Sequence, residues 1–289
     1  MSGNLSERVD AVLTAFLDER VRGAERLDAA ARPPVEEIAR LVAAGGKRIR
    51  PAFCYWGFRA AGGADPGGRD EPIVRAAAAL ELLHTMAIVH DDLIDGAKER
   101  RGVPSTVAWF EGRAERSGAR GEPRAFGEAM AVLVGDLAAV LADRLFLESG
   151  FPPDTLAGAL AVYHPMREAM AIGQYLGLTR PEADRGGVEA VRRTASLKGG
   201  GYSVEGPLRI GAALAGGSAA VGKCLSRYGR PLGEAFQLRD DLEDGDAAPG
   251  VTAETVNGCV AVAKAALDPG LVAPEALPPL RRLAEEVAM

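Results

Sequence analysis

An all-α fold, a single antiparallel helical bundle, is what the sequence predicts, on three observations. Alanine and leucine dominate, alternating β-branched residues are scarce, and apolar residues recur at three- and four-residue spacing. That period is the signature of helices with one face turned to a core.

The elements follow in order. A helix over Leu5–Arg22 aligns Val9, Val12, Leu13, Phe16 and Leu17 in one stripe, and helices over Val35–Ala44 and Pro51–Ala61 come next. The run Gly62–Gly68, with four glycines and a proline, breaks the pattern before a long helix over Ile73–Ile94. The polar run from Glu111 to Pro123 reads as a loop between that helix and Phe126–Glu148. Thr155–Leu176 follows; Gly186-Gly187 opens Val188–Leu197, and Val204–Ala215 and Val221–Asp244 complete the longest candidates. Ile73–Ile94 and Val221–Asp244 are apolar around most of their circumference and are expected at the centre of the bundle. No repeat and no Gly/Pro/Ser linker divides the chain, so residues 1–289 are expected to form one domain.

Composition narrows the function. A chain of 289 residues, 47% hydrophobic and 26% charged, is an ordinary globular protein, neither disordered nor collagenous. A net charge of −6 carries no global footprint for nucleic acid or an anionic membrane, so a bound polyanion has to be met by a local basic cluster. Cys54, Cys224 and Cys259 are scattered, which suits a reducing cytosol, and the polar MSGNLSERVD start lacks an apolar export region. A cytoplasmic location is expected. The most apolar stretch, Ile73 to Ile94, holds Arg75, Glu81, His84, His90, Asp91 and Asp92, a load that a transmembrane helix would not tolerate.

Two helices end in acid. His90-Asp91-Asp92-Leu93-Ile94-Asp95 and Asp240-Asp241-Leu242-Glu243-Asp244 both read D-D-x-x-D, which stacks Asp91 on Asp95 and Asp240 on Asp244 at i and i+4. Three like charges in one turn repel, and hard oxygen ligands of this kind favour Mg²⁺ shared with phosphate groups. One such run alone is ordinarily solvated surface; a matched pair on the two most apolar helices points to a site. Basic residues flank the first cluster. Lys47 and Arg50 sit beside Gly45-Gly46, and Arg100-Arg101 follows Asp95. Arginine forks and a lysine point charge suit diphosphate, and two basic clusters imply two phosphorylated substrates.

With these pieces in order the sequence resembles the trans-isoprenyl diphosphate synthases, or polyprenyl synthetases. The matching motifs are GGKRIRP at Gly45–Pro51, ELLHTMAIVHDDLID at Glu81–Asp95, RRGVPST at Arg100–Thr106 and LVGDLA at Leu133–Ala138. They continue with GQYLGL at Gly173–Leu178, SLKGGGYSVEGPLRIGAALAG at Ser196–Gly216 and GEAFQLRDDLED at Gly233–Asp244. The motif-bearing part runs from about residue 38 to 245 and a shortened, divergent part covers 246–289. The resemblance implies an isoprenoid synthase type of bundle with a central substrate cavity, usually a homodimer, that condenses an allylic diphosphate with isopentenyl diphosphate. It implies about three Mg²⁺ ions per site, bound by Asp91, Asp95 and Asp240 with support from Asp92, Asp241 and Asp244. Lys47, Arg50, His84 and Arg101 match the isopentenyl diphosphate contacts; Arg100, Gln174, Lys198 and Gln237 match the allylic side. Catalysis is expected to rest on Asp91, Asp92, Asp95, Lys198, Asp240 and Asp241. His90 is expected to be structural, His164 to lie at the surface, and Tyr175 and Tyr202 to be packing groups as readily as contacts.

Product length is expected from Met86 and Ala87, five and four residues before Asp91, where family members with a large aromatic stop early. A slim, flexible methionine predicts a twenty-carbon product, geranylgeranyl diphosphate, or twenty-five carbons. Two departures fall on the allylic side: Gly177 replaces an aspartate three residues after Gln174, and no lysine follows Asp244 until Lys264. They predict weak allylic binding or slow ionisation unless an arginine such as Arg239 substitutes. A terpene cyclase has no use for the second basic set, and a regulatory subunit tends to lose an acidic motif, so both remain alternatives to chain elongation.

Overall fold

The computed structural model describes residues 2–64, 71–100, 102–117, 121–179, 196–245, 247 and 250–288. It is all-α apart from one short hairpin. The backbone groups into two compact units, each made from two separate stretches of chain: residues 1–48 with 74–149, and residues 49–73 with 150–289.

In the first unit α1 (Ser2–Leu27) buries Val9, Leu13, Phe16 and Leu17 of the predicted stripe, leaves Val12 half-buried, and packs on α2 (Pro33–Ala43). Helix α4 (Glu71–Ile94) enters this unit at Val74, and its residues 76–80, 82 and 83 are all buried. A hairpin of β1 (Glu99–Arg100) and β2 (Val103–Pro104) turns at Gly102, whose φ of 77° is left-handed. Helices α5 (Thr106–Ser117) and α6 (Pro123–Leu147) pack on each other. The buried Glu37 carboxylate ties these pieces together. It accepts two hydrogen bonds of 2.7 Å from Arg40 and one of 2.8 Å from the Thr106 hydroxyl, while Arg40 also donates to the Pro104 carbonyl.

Part of the expected loop is therefore helix. Val107, Phe110 and Ala114 are buried on α5, and the charged residues that suggest a loop are its solvent face.

The second unit comprises α3 (Ile49–Ala60), α7 (Pro153–Thr179), a π-helix (Ser196–Glu205), α8 (Gly206–Leu214), α9 (Ala219–Asp244), α10 (Ala253–Ala266) and α11 (Leu277–Ala288). Ser218 caps α9, accepting from the Val221 amide, and Gly245 ends it at φ 81°. One core joins Phe53 of α3, Leu208 of α8, Tyr228 and Leu232 of α9, Val256 and Val260 of α10, and Leu280 and Leu283 of α11. Helix α3 lies so close to α8 that a Cβ on Gly211 would meet the Cys54 carbonyl oxygen at 1.9 Å, and one on Gly57 the Leu208 carbonyl oxygen at 2.2 Å.

Helix α9 is not apolar all round: it buries one stripe and exposes Lys223, Arg227 and Arg230, so of the two helices expected at a centre only α4 is apolar as read. The expected helix Val188–Leu197 falls largely outside the described residues, as does most of the Gly62–Gly68 break.

Candidate active site

In the first unit, the acidic motif closes α4. Asp91 is half-buried and Asp95 exposed, one turn apart on the same face. Asp92 is buried and turned to Arg100, whose Nε donates to its Oδ1 at 2.9 Å; the same guanidinium lies 3.9 Å from Asp91. Burial pushes the Asp92 carboxyl above its ordinary 3.8, against the hydrogen bond from Arg100. Arg100 is thus the counter-charge of the cluster.

His90 sits with its ring on Gly135 of α6, where a Cβ would come within 2.1 Å of Nε2, and its Nε2 is 3.9 Å from Asp136. Its expected structural role agrees with that seat.

A recess in this unit is lined by Gly45, Arg48, Glu81, His84, Thr85 and Arg100, with Leu41, Ile88 and Val103 among its apolar walls. His84 reaches it from α4, and Lys47 is exposed at the adjoining turn. Arg48, which sequence reasoning passed over, is buried and paired with Glu81 at 2.9 Å. Removing one partner of such a pair costs roughly 3–5 kcal/mol. A lone acid inside the apolar run of α4 was the available signal, because a buried glutamate requires a base. Met86 and Ala87 are half-buried on α4, one turn before Asp91.

In the second unit, Arg50 is buried at the start of α3. Its Nη2 donates to the Tyr202 hydroxyl at 2.9 Å and to the Ser203 hydroxyl at 2.8 Å, and its guanidinium lies 4.5 Å from the Tyr202 ring centre. Its Nε finds no partner among the described residues. Tyr202 is therefore more than packing: it holds an arginine expected to contact substrate. The π-helix that carries it approaches α9 through glycines. A Cβ on Gly199 would strike the Gln237 Oε1 at 1.8 Å, and one on Gly200 the Gly233 carbonyl at 2.7 Å.

Gln237 in turn donates to Asp241 at 2.8 Å. Asp240 lies 3.1 Å from Arg239; burial raises its carboxyl above 3.8, and the nearby charges of Arg239 and Arg50 oppose the rise. Arg239 is itself committed. Its Nη1 donates to the Glu286 and Val287 carbonyls at 3.3 and 3.0 Å, and its Nε is 3.4 Å from Glu243.

Gln174 is half-buried on α7, and Gly177 is exposed there with open space where a side chain would stand. Arg101 and the side chains of Lys198 and Asp244 lie outside the described residues. His164 and Tyr175 are exposed.

Among the described residues no three His, Cys, Asp or Glu side chains form a metal cage. Each acidic motif instead offers oxygen ligands in ones and twos. That donor set fits Mg²⁺, which commonly takes one or two carboxylates and completes its shell with phosphate oxygens and water.

Residues 33–256 match the family profile described as polyprenyl synthetase. The short chain isoprenyl diphosphate synthase of Methanothermobacter thermautotrophicus is 32% identical over 210 residues, 71% of this chain and 56% of that protein. The geranylgeranyl diphosphate synthase of Methanosarcina mazei is 31% identical over 246 residues, 83% of this chain and 65% of that one. The matched region thus spans less than two thirds of the length of these relatives. Among solved structures, a Corynebacterium glutamicum geranylgeranyl pyrophosphate synthase complexed with isoprenyl diphosphate and magnesium superimposes with a TM-score of 0.88 at 27% identity, covering 98% of both chains.

Proposed function

The chain belongs to the polyprenyl synthetase family, and from that membership we propose that it is a trans-prenyltransferase joining an allylic diphosphate to isopentenyl diphosphate. The observation that carries the proposal is the pair of matched acidic motifs, each with basic or amide partners already in hydrogen-bonding or ion-pair contact. Asp91, Asp95 and Asp240 would hold Mg²⁺, with Asp92 and Asp241 positioned by Arg100 and Gln237 as supports and Asp244 assigned by motif alone. When bound, Mg²⁺ neutralises diphosphate oxygens and so makes pyrophosphate a better leaving group.

Lys47, Arg50, His84 and Arg101 would bind isopentenyl diphosphate; Arg100, Gln174, Lys198 and Gln237 would bind the allylic diphosphate. The C–O bond to the allylic diphosphate breaks, a C–C bond to isopentenyl diphosphate forms, and the proton lost passes to the released pyrophosphate. Fixed positive charge aimed at the departing group is where such a site gains its rate. The residues near the reacting carbons should be apolar, which keeps water and nucleophiles from the cation.

The product we propose is geranylgeranyl diphosphate, with Met86 and Ala87 on α4 as the groups that limit the tail. Incubation with isopentenyl diphosphate, Mg²⁺ and each of three allylic diphosphates, with products sized by chromatography, tests activity and length together. Asp91→Ala and Asp240→Ala should each abolish turnover with helical content retained. Met86→Phe should shorten the product and Met86→Ala lengthen it. Undiminished turnover in either aspartate variant, or in excess chelator, would defeat the metal assignment, and one product profile for all three side chains at 86 would remove it as the floor.

We further propose a cytoplasmic homodimer built on α6. Phe126, Leu133, Val140 and Leu147 recur every seventh residue and are 42–60% exposed. They form an apolar stripe roughly 30 Å long, which a second copy of the same helix could cover. By length and composition both α4 and α6 could cross a membrane. Most of the apolar residues of α4 are buried, whereas the stripe on α6 is exposed.

A further inference from the structure

Among the described residues one non-glycine residue has positive φ: Arg48, at 50°. An L side chain is unfavourable there and persists only where its surroundings impose it. The surroundings are three elements of the first unit. Arg48 Nε donates to Asp10 of α1 at 2.8 Å, Nη1 to Glu81 of α4 at 2.9 Å, and Nη2 to the Val42 carbonyl in the last turn of α2 at 2.8 Å. All three nitrogens of the planar fork are engaged, and the residue is 8% exposed.

A lysine carries the same charge but cannot span three directions at once. Where a buried ion pair adds little net stability over an apolar one, what it can fix is geometry. Here the geometry is that of residues 45–48. Gly45, also left-handed at φ 84°, and Arg48 both line the recess that His84 and Arg100 reach, and Lys47 stands exposed between them.

We propose that Arg48 is a positioning residue for isopentenyl diphosphate. Its fork holds the strained turn that presents Lys47 and does not touch the diphosphate, since its nitrogens face two carboxylates and a carbonyl. The proposal rests on the prenyltransferase reading above and adds to it a residue that acts through another.

Three variants test it. Arg48→Gly accepts the left-handed backbone and loses the fork. Arg48→Lys keeps the charge and loses the fork. Asp10→Ala removes only the outermost partner, whose side chain is 48% exposed. Steady-state kinetics should show the KM for isopentenyl diphosphate raised about tenfold in both Arg48 variants and about threefold in Asp10→Ala. The allylic KM, and kcat at saturating isopentenyl diphosphate, should stay within about twofold, the pattern of lost uniform binding. Calorimetric titration with isopentenyl diphosphate should give the same ratios without turnover.

Equal changes in both KM values, or a lowered melting temperature with both KM values unchanged, would overturn the role. If Arg48→Gly does not fold, Asp10→Ala decides. Wild-type protein that neither binds nor consumes isopentenyl diphosphate would instead sink the prenyltransferase reading itself.

Discussion

Asp92 and Asp240 are each held where an ionised carboxylate is disfavoured. Burial lifts both above 3.8, and the hydrogen bonds from Arg100 and Arg239 oppose the lift without cancelling it. The folded chain therefore binds these protons more tightly than the unfolded chain does. Their contribution to stability is complete below 3.8 and is lost as pH rises through the lifted folded values. Asp240→Asn removes the charge, so in chelator its urea midpoint at about pH 7 should exceed that of the wild type. The gain should shrink to nothing as pH falls toward 3.8. A lower midpoint at neutral pH would mean that Arg239 needs Asp240 more than burial penalises it. The aspartates themselves were legible from spacing alone. Their partners were less so, because Arg100 and Arg239 read equally well as phosphate ligands until the bonds to Asp92, Asp240, Glu286 and Val287 are seen.

At the scale of helices, glycine separates contact from freedom. Gly211 lets α3 approach α8, and a methyl there would overlap the Cys54 carbonyl, so Gly211→Ala should cost about 1–3 kcal/mol in urea unfolding. Gly158, exposed on α7 with nothing within 4 Å of a Cβ, should behave oppositely, and Gly158→Ala should stabilise by about 0.5–1 kcal/mol. The two substitutions are chemically identical, so similar effects would mean that the α3–α8 approach is looser than described.

On α6, Leu133→Glu or Val140→Glu should shift sedimentation from dimer to monomer. Flotation of wild-type protein with lipid vesicles would assign the stripe to a membrane instead. The stripe is not legible in the sequence, where Ile73–Ile94 reads as the most apolar stretch. The apolar run of α6 is at least as hydrophobic as that of α4, and only the structure tells which apolar helix is covered. Helices α10 and α11 are hard to read from the sequence for the reverse reason. Val256, Val260, Leu280 and Leu283 follow helical spacing, but no chemical motif marks the segments that carry them.

For the whole molecule, the all-α class was readable from periodicity, and the family from motif order. The division of the backbone was not. Hydrophobic period reports which face of a helix is buried, never which other segment buries it, and no linker marks positions 48, 73 or 149. This interleaving has a consequence for how the chain is made. Every segment of the first unit exists once residue 149 has been synthesised, including Lys47, His84, Asp91 and Arg100. At that moment the second unit has only residues 49–73, and α8, on which α3 packs, has not been made. Gly57 waits for Leu208, 208 − 57 = 151 positions later, and closing so long a loop costs about 4–5 kcal/mol in chain entropy before any contact repays it. On the ribosome, then, α3 emerges early and Phe53 waits for the later residues of its core. A pause in translation between residues 149 and 208 prolongs the interval in which that helix is open to chaperones or to misassembly with a neighbouring chain.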